Sequence, residues 1–197
     1  MTSEKKPNTT TLSLRSTPRL AQRPAADLLP QEGQLILPPQ QPKIMIPKPC
    51  AGLVIFYDYT WHTDFKRKGE SDKARPCLIM GLRRNPDRPK NPEVAVEPIT
   101  HTPPSKALKD STLRIPMHVG QQIGLDNQRS FIRCHELNVF EWPGPDLTPI
   151  PGSKRKRVEF GLLDKDLFKD VQQMFAQVGR QLVVRRDPAC DLAEHGL

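Results

Sequence analysis

Arg75 and Pro76 stand at the mouth of an apolar run, Arg75-Pro76-Cys77-Leu78-Ile79-Met80. A second run, Glu93-Val94-Ala95-Val96-Glu97-Pro98-Ile99, closes on Thr100-His101. If both runs are strands of one small barrel, a cation that starts one strand and a hydroxyl-imidazole pair that ends another meet at the same end of the sheet. Those residue types suit an anion or a phosphodiester. A planar guanidinium donates two parallel hydrogen bonds to phosphate and stays charged at every working pH. A threonine hydroxyl holds a phosphate oxygen for in-line attack, and an imidazole carries protons near neutrality. Cleavage of RNA through its own 2′-hydroxyl needs a base for the hydroxyl proton, a cation for the phosphoryl oxygens and an acid for the leaving oxygen. A plainer reading stands beside each residue: Arg75 as a surface ion-pair partner, Thr100 as a strand-end residue bonding locally, and His101 as a ring bonded to backbone.

The elements that must position these groups are short apolar runs separated by Gly, Pro and Asn clusters, the pattern of a small all-β barrel. Strands are predicted at residues 53–59, 76–82, 93–99, 113–115, 130–134 and 136–142. Both faces of the first are apolar, so something must pack over the barrel. The cover is a predicted helix near the C-terminus, capped by Asp164, in which Leu167, Phe168, Val171, Met174, Phe175, Val178 and Leu182 recur at helical spacing. That stripe reads as core packing.

Residues 1–49 are rich in Pro, Gln, Ser and Thr, too poor in apolar groups to offset the entropy of ordering, and read as a mobile tail. Residues 50–186 hold the barrel and helix, and 187–197 read as a frayed end. Two loops are basic. Residues 60–73 form a basic hairpin with Trp61, His62, Lys66, Arg67, Lys68, Glu70 and Lys73, and lead directly into Arg75, which favours RNA contact there. Residues 143–158, with Lys154-Arg155-Lys156-Arg157, read as a solvated charge run.

Composition sets outer limits. The 197 residues carry 30 Lys+Arg against 22 Asp+Glu, a net charge of +8, which attracts a polyanion without distinguishing RNA, DNA or an acidic protein. The tail holds +4 of this, with seven Lys/Arg against three Asp/Glu. No apolar run reaches the ~20 residues of a membrane span. Prolines at 7, 18, 24 and 30 interrupt the amphipathic helix that a transit peptide needs. Cys50, Cys77, Cys134 and Cys190 show no metal spacing and read as small, partly buried thiols of a reducing cytoplasm, with Cys134 beside His135 as a minor nucleophile alternative. No metal or other cofactor is expected.

Four stretches, in order, carry a family resemblance: Gly52-Leu53-Val54-Ile55-Phe56-Tyr57-Asp58-Tyr59, Arg75-Pro76, Pro98-Ile99-Thr100, and Gly124-Leu125-Asp126-Asn127-Gln128-Arg129-Ser130. In this order the chain resembles the MazF/PemK toxins of toxin-antitoxin modules, and Trp142-Pro143-Gly144-Pro145-Asp146-Leu147 is similar to a PemK-like subgroup. The resemblance spans residues 52–178. It implies a mostly β, SH3-like barrel of the MazF/PemK type with a C-terminal helix, and a metal-independent endoribonuclease acting on single-stranded RNA as a growth inhibitor. It further implies a homodimer in the cytoplasm, restrained by a cognate antitoxin with which it binds DNA.

Carried over by position, the family's arginine falls on Arg75 and its threonine on Thr100. The aspartate that some members use falls on Asn127, one residue past Asp126, and the loop histidine position after Gly69 holds Glu70. His101 and Asp126 are therefore the candidate proton carriers, with Glu70 behind them. Lys68, Glu70, Lys73, Asn127, Gln128 and Arg129 are the candidate RNA contacts, turn closure being the plainer account of Gln128 and Arg129. The alternative function is a non-catalytic module on the same barrel that binds nucleic acid or a protein target such as gyrase.

Overall fold

The computed structural model describes residues 44–69 and 73–186. Among the described residues eight strands dominate: β1 (Leu53–Asp58), β2 (Ala74–Arg83), β3 (Glu93–Thr100), β4 (Thr112–Ile115), β5 (Ser130–Arg133), β6 (Glu136–Glu141), β7 (Glu159–Leu162) and β8 (Leu182–Arg186). Three helices, α1 (His62–Lys68), α2 (Met117–Gln122) and α3 (Lys165–Gln177), and a 3-10 turn at Lys106–Ser111 connect them. The sheet runs β4-β5-β3-β2-β1-β7, with β6 on β3 and β8 on β6.

Strand β3 forces the sheet to curl. One edge pairs β2, whereas the other is shared: Glu93 to Val96 lie opposite β6, and Ile99 and Thr100 opposite β5. Two strands taking successive parts of one edge turn the sheet on itself, giving a mostly β, half-barrel form consistent with a small β-barrel. Alternation along the strands then feeds two cores. Ile55, Tyr57, Cys77 and Ile79 belong to one with Phe140 and Trp142, while Val54, Leu78 and Ile99 belong to the other with residues of α2 and α3.

The covering helix is present, with Leu167 and Val171 buried against Val54 and Leu78. Its cap is Asp164, whose Oδ1 accepts from the Asp166 and Leu167 backbone N–H groups at 3.0 and 3.2 Å. The apolar stripe nevertheless overruns the helix. Val178 is already extended, and Leu182 begins β8, which lies parallel to β6. Helical spacing continued through Leu182 by coincidence; Gly179 and the β-branched pair Val183-Val184 mark the change. A strand therefore follows the helix, which is not the last element.

The first linker is also corrected. Residues 60–73 contain a helix, not a hairpin: α1 has Asp64 in its first turn, Lys66, Arg67 and Lys68 in its last, and Gly69 as a left-handed cap with φ 75°. Strand β7 interrupts the span between the sixth predicted strand and the helix. The tail expectation for residues 1–43 and the terminal expectation for 187–197 lie outside the described residues. Residues 44–46 are described and are 41%, 54% and 46% exposed, with Met45 bridged to Arg157. Among the described residues no helix is long and apolar enough to cross a membrane.

Candidate functional site

A cavity of about 480 Å³ opens where β2 begins and β3 ends, beside the turn between α2 and β5. Phe56, Pro76, Ile99, Leu125, Phe160 and Pro151 supply its apolar lining, and Lys73, Arg75, Thr100, His101, Asp126 and Ser130 its polar one. The Phe56 and Phe160 rings meet edge-on at 6.0 Å between centroids.

Each polar group has a local cause. Thr100 is the last residue of β3, opposite Phe131, and its Oγ1 accepts from the Thr102 backbone N–H at 3.2 Å. The following turn is held from inside the protein: Arg133, 5% exposed, donates to the carbonyls of Thr102 and Pro103 at 2.9 and 3.3 Å and to Thr112 Oγ1 at 3.0 Å. Asp126 follows Gly124, whose φ of 86° is left-handed and suits glycine. Its Oδ1 accepts from the Gln128 backbone N–H at 3.1 Å, an Asx turn that fixes the carboxylate.

These two turns bring His101 and Asp126 together. His101 Nε2 lies 3.2 Å from Asp126 Oδ2, and the side chains are 47% and 51% exposed. On the other side of the ring, Nδ1 lies 3.1 Å from the Arg129 carbonyl. Both nitrogens thus face acceptors. A neutral imidazole donates through one nitrogen only, so both contacts are hydrogen bonds only when the ring is doubly protonated. In that form it is a proton donor.

Arg75 borders the same cavity, but its guanidinium lies elsewhere. Arg75 pairs with Tyr57, and residues directly opposite share a face, which here belongs to the core of Tyr57 and Cys77. The guanidinium sits 4.9 Å from the centre of the Trp61 ring. It forms no ion pair among the described residues, and its Nε is enclosed without a hydrogen-bond partner. Its charge still reaches Asp58 and Glu136: burial pushes both carboxyls up, and Arg75 is among the cations that oppose this.

The remaining candidates separate. Lys73 lines the cavity, and Lys68 occupies the last turn of α1. Glu70 lies outside the described residues. Asn127 turns back to α2, accepting from Gln121 Nε2 at 3.0 Å, while Gln128 donates to Asp126, so both close the turn. Arg129 contributes its carbonyl to His101. Cys134 is fully buried and its thiol is pushed up by burial, which leaves little thiolate for a nucleophile. Among the described residues no group of three or more His, Cys, Asp or Glu is placed to hold a metal ion.

Two features were missed from the sequence. Trp61 carries the Arg75 guanidinium, although the only hint was an aromatic before a basic stretch. Ile150 and Pro151 bring the second basic loop to the cavity wall, for which apolar residues beside a charge run were the sole signal. Compared with protein-family models and with curated proteins, the chain matches neither. The class its fold defines is a mostly β protein with a curled, mainly antiparallel sheet and, at one strand end, a largely apolar cavity that carries a few polar groups.

Proposed function

We propose that this chain is a MazF/PemK-like endoribonuclease that cleaves single-stranded RNA through the substrate's 2′-hydroxyl. The observation that carries the reading is the convergence of Thr100, His101 and Asp126 on one cavity, with Lys73 and Arg75 at its border. A phosphodiester entering there meets a hydroxyl, a carboxylate, an imidazole and Lys73 within one lining, with the Arg75 guanidinium on the Trp61 side of the border.

The exposed His101–Asp126 contact is the part that opens, while the Arg129 carbonyl keeps the ring in place. Asp126, released, takes the proton of the 2′-hydroxyl as its oxygen bonds to phosphorus. His101 Nε2–H gives its proton to the departing 5′-oxygen as the phosphorus–oxygen bond breaks. The products are a 2′,3′-cyclic phosphate and a 5′-hydroxyl. Thr100 orients the phosphoryl group. Arg75, swung from Trp61, neutralises its oxygens. DNA lacks the nucleophile and is not cut. A cytoplasmic homodimer held in check by an antitoxin belongs to the same proposal.

The resting position of the Arg75 guanidinium over Trp61 favours a second reading, a non-catalytic module that binds nucleic acid or a protein target such as gyrase. Incubation of the purified protein with a long RNA in EDTA separates the two. Fragments ending in cyclic phosphate support the nuclease. Retarded but intact RNA, or gyrase poisoning without fragments, supports the module.

A further inference from the structure

The basic loop between β6 and β7 is built rather than merely exposed. It is fastened to β1 at both ends: the Thr148 N–H donates to the Phe56 carbonyl at 3.1 Å, and the Phe56 N–H to the Val158 carbonyl at 2.7 Å. Its neck closes with the Ile150 N–H donating to the Arg157 carbonyl at 2.8 Å. Inside, Ser153 Oγ accepts from the Arg157 N–H at 3.1 Å, and the Lys156 N–H donates to the Ser153 carbonyl at 3.1 Å. Lys156 adopts φ 48°, a left-handed backbone unfavourable for a residue with a Cβ.

A run of like charges repels itself and extends when nothing organises it. Here four consecutive cations are folded into a closed loop with no acid between residues 147 and 158. Arg157 is neutralised by Glu159 at 2.8 Å, but Lys154, Arg155 and Lys156 form no ion pair among the described residues. The fold holds three uncompensated charges together at a cost in repulsion, which a bound polyanion would offset. The neck residues Ile150 and Pro151 also wall the cavity containing Thr100, His101 and Asp126.

We infer that the 150–157 loop is a phosphate cradle for single-stranded RNA, engaging the backbone next to the nucleotide held in the cavity. The choice of RNA over an acidic protein segment rests on the proposed function, because it is the shared wall that links the loop to phosphodiester chemistry. Each cation takes one phosphate and releases its counterions.

The test is the salt dependence of binding to a short single-stranded deoxyoligonucleotide, which cannot be cleaved. The triple variant Lys154→Gln, Arg155→Gln, Lys156→Asn removes the charges, Asn being tolerant of the left-handed backbone. At roughly 0.7 per phosphate contact on a single strand, the slope of log affinity against log salt falls by about 2. Should the triple variant melt early, Arg155→Gln alone lowers the slope by about 0.7. An unchanged slope overturns the cradle. So does loss of polyglutamate binding with oligonucleotide binding intact, which makes the loop a protein-docking surface. Absence of RNA cleavage by the wild type, with the slope change still present, refutes the nuclease and leaves the cradle standing.

Discussion

Glu97 offers a quantitative test of the packing that supports the site. It lies mid-strand in β3 opposite Leu78, is wholly buried, and neither carboxyl oxygen has a hydrogen-bond partner among the described residues. Burial pushes the carboxyl up from 4.5 to about 8, and the nearby Cys134 thiol, which forms no hydrogen bond with it in the structure, opposes this only weakly. Between these values the folded chain keeps a proton that the unfolded chain has released. Stability is therefore highest below the unfolded value, falls as pH rises through the window, and is level above about 8. The slope is ~1.4 kcal/mol per pH unit and the whole window amounts to roughly 5 kcal/mol, an upper limit for full desolvation. Glu97→Gln keeps the shape without the ionisation. Its stability relative to wild type should rise by that amount from acid to mildly alkaline pH. Urea unfolding at a series of pH values, followed by fluorescence of the buried Trp142, measures the difference while cancelling other titrating groups. A difference that does not change with pH would refute a neutral, dry Glu97.

Arg75→Ala should cut RNA cleavage roughly a hundredfold to a thousandfold with the fold intact; activity within threefold of wild type would reject the cation role. His101→Gln and Asp126→Asn should each cost roughly a hundredfold or more, and their double variant little beyond the worse single, because the two groups act as a pair. Additive losses in that cycle would show that they act separately. Arg133→Met should free the turn after Thr100 and alter the imidazole NMR signals of His101, with Arg133→Lys recovering part of the wild-type spectrum; identical spectra would exclude a positioning role. Asp164→Ala should destabilise the protein by about 1 kcal/mol through loss of the α3 cap, measured by denaturant midpoint.

Much of the fold was legible because its signals are local. Six of the eight strands coincide with apolar runs bounded by turn residues, and the Asp164 cap sits where the stripe of α3 begins. The helix His62–Lys68 reads from sequence as a basic hairpin, because the density of charge masks its acid-first, base-last order and closing glycine. Strands β7 and β8 were harder. Both are short, and their strand form depends on partners: β1 for Glu159–Leu162 and β6 for Leu182–Arg186.

For the site, residue types together with the family resemblance pointed to Arg75, Thr100, His101 and Asp126 as candidates for acting on a phosphodiester; taken alone, Arg75 and Thr100 have plainer readings and Asp126 is reached only through the resemblance. Their mutual placement was settled only in three dimensions. His101 meets Asp126 because β3 and the α2–β5 turn end at the same rim, an outcome of long-range pairing that spacing along the chain does not encode. Arg75 faces Trp61 because its register with Tyr57 selects the face of the sheet, and a one-residue shift in that pairing reverses the choice. The 150–157 loop became part of a cavity for the same reason: both its ends bond to β1, and the strand that holds them also carries Phe56 into the wall.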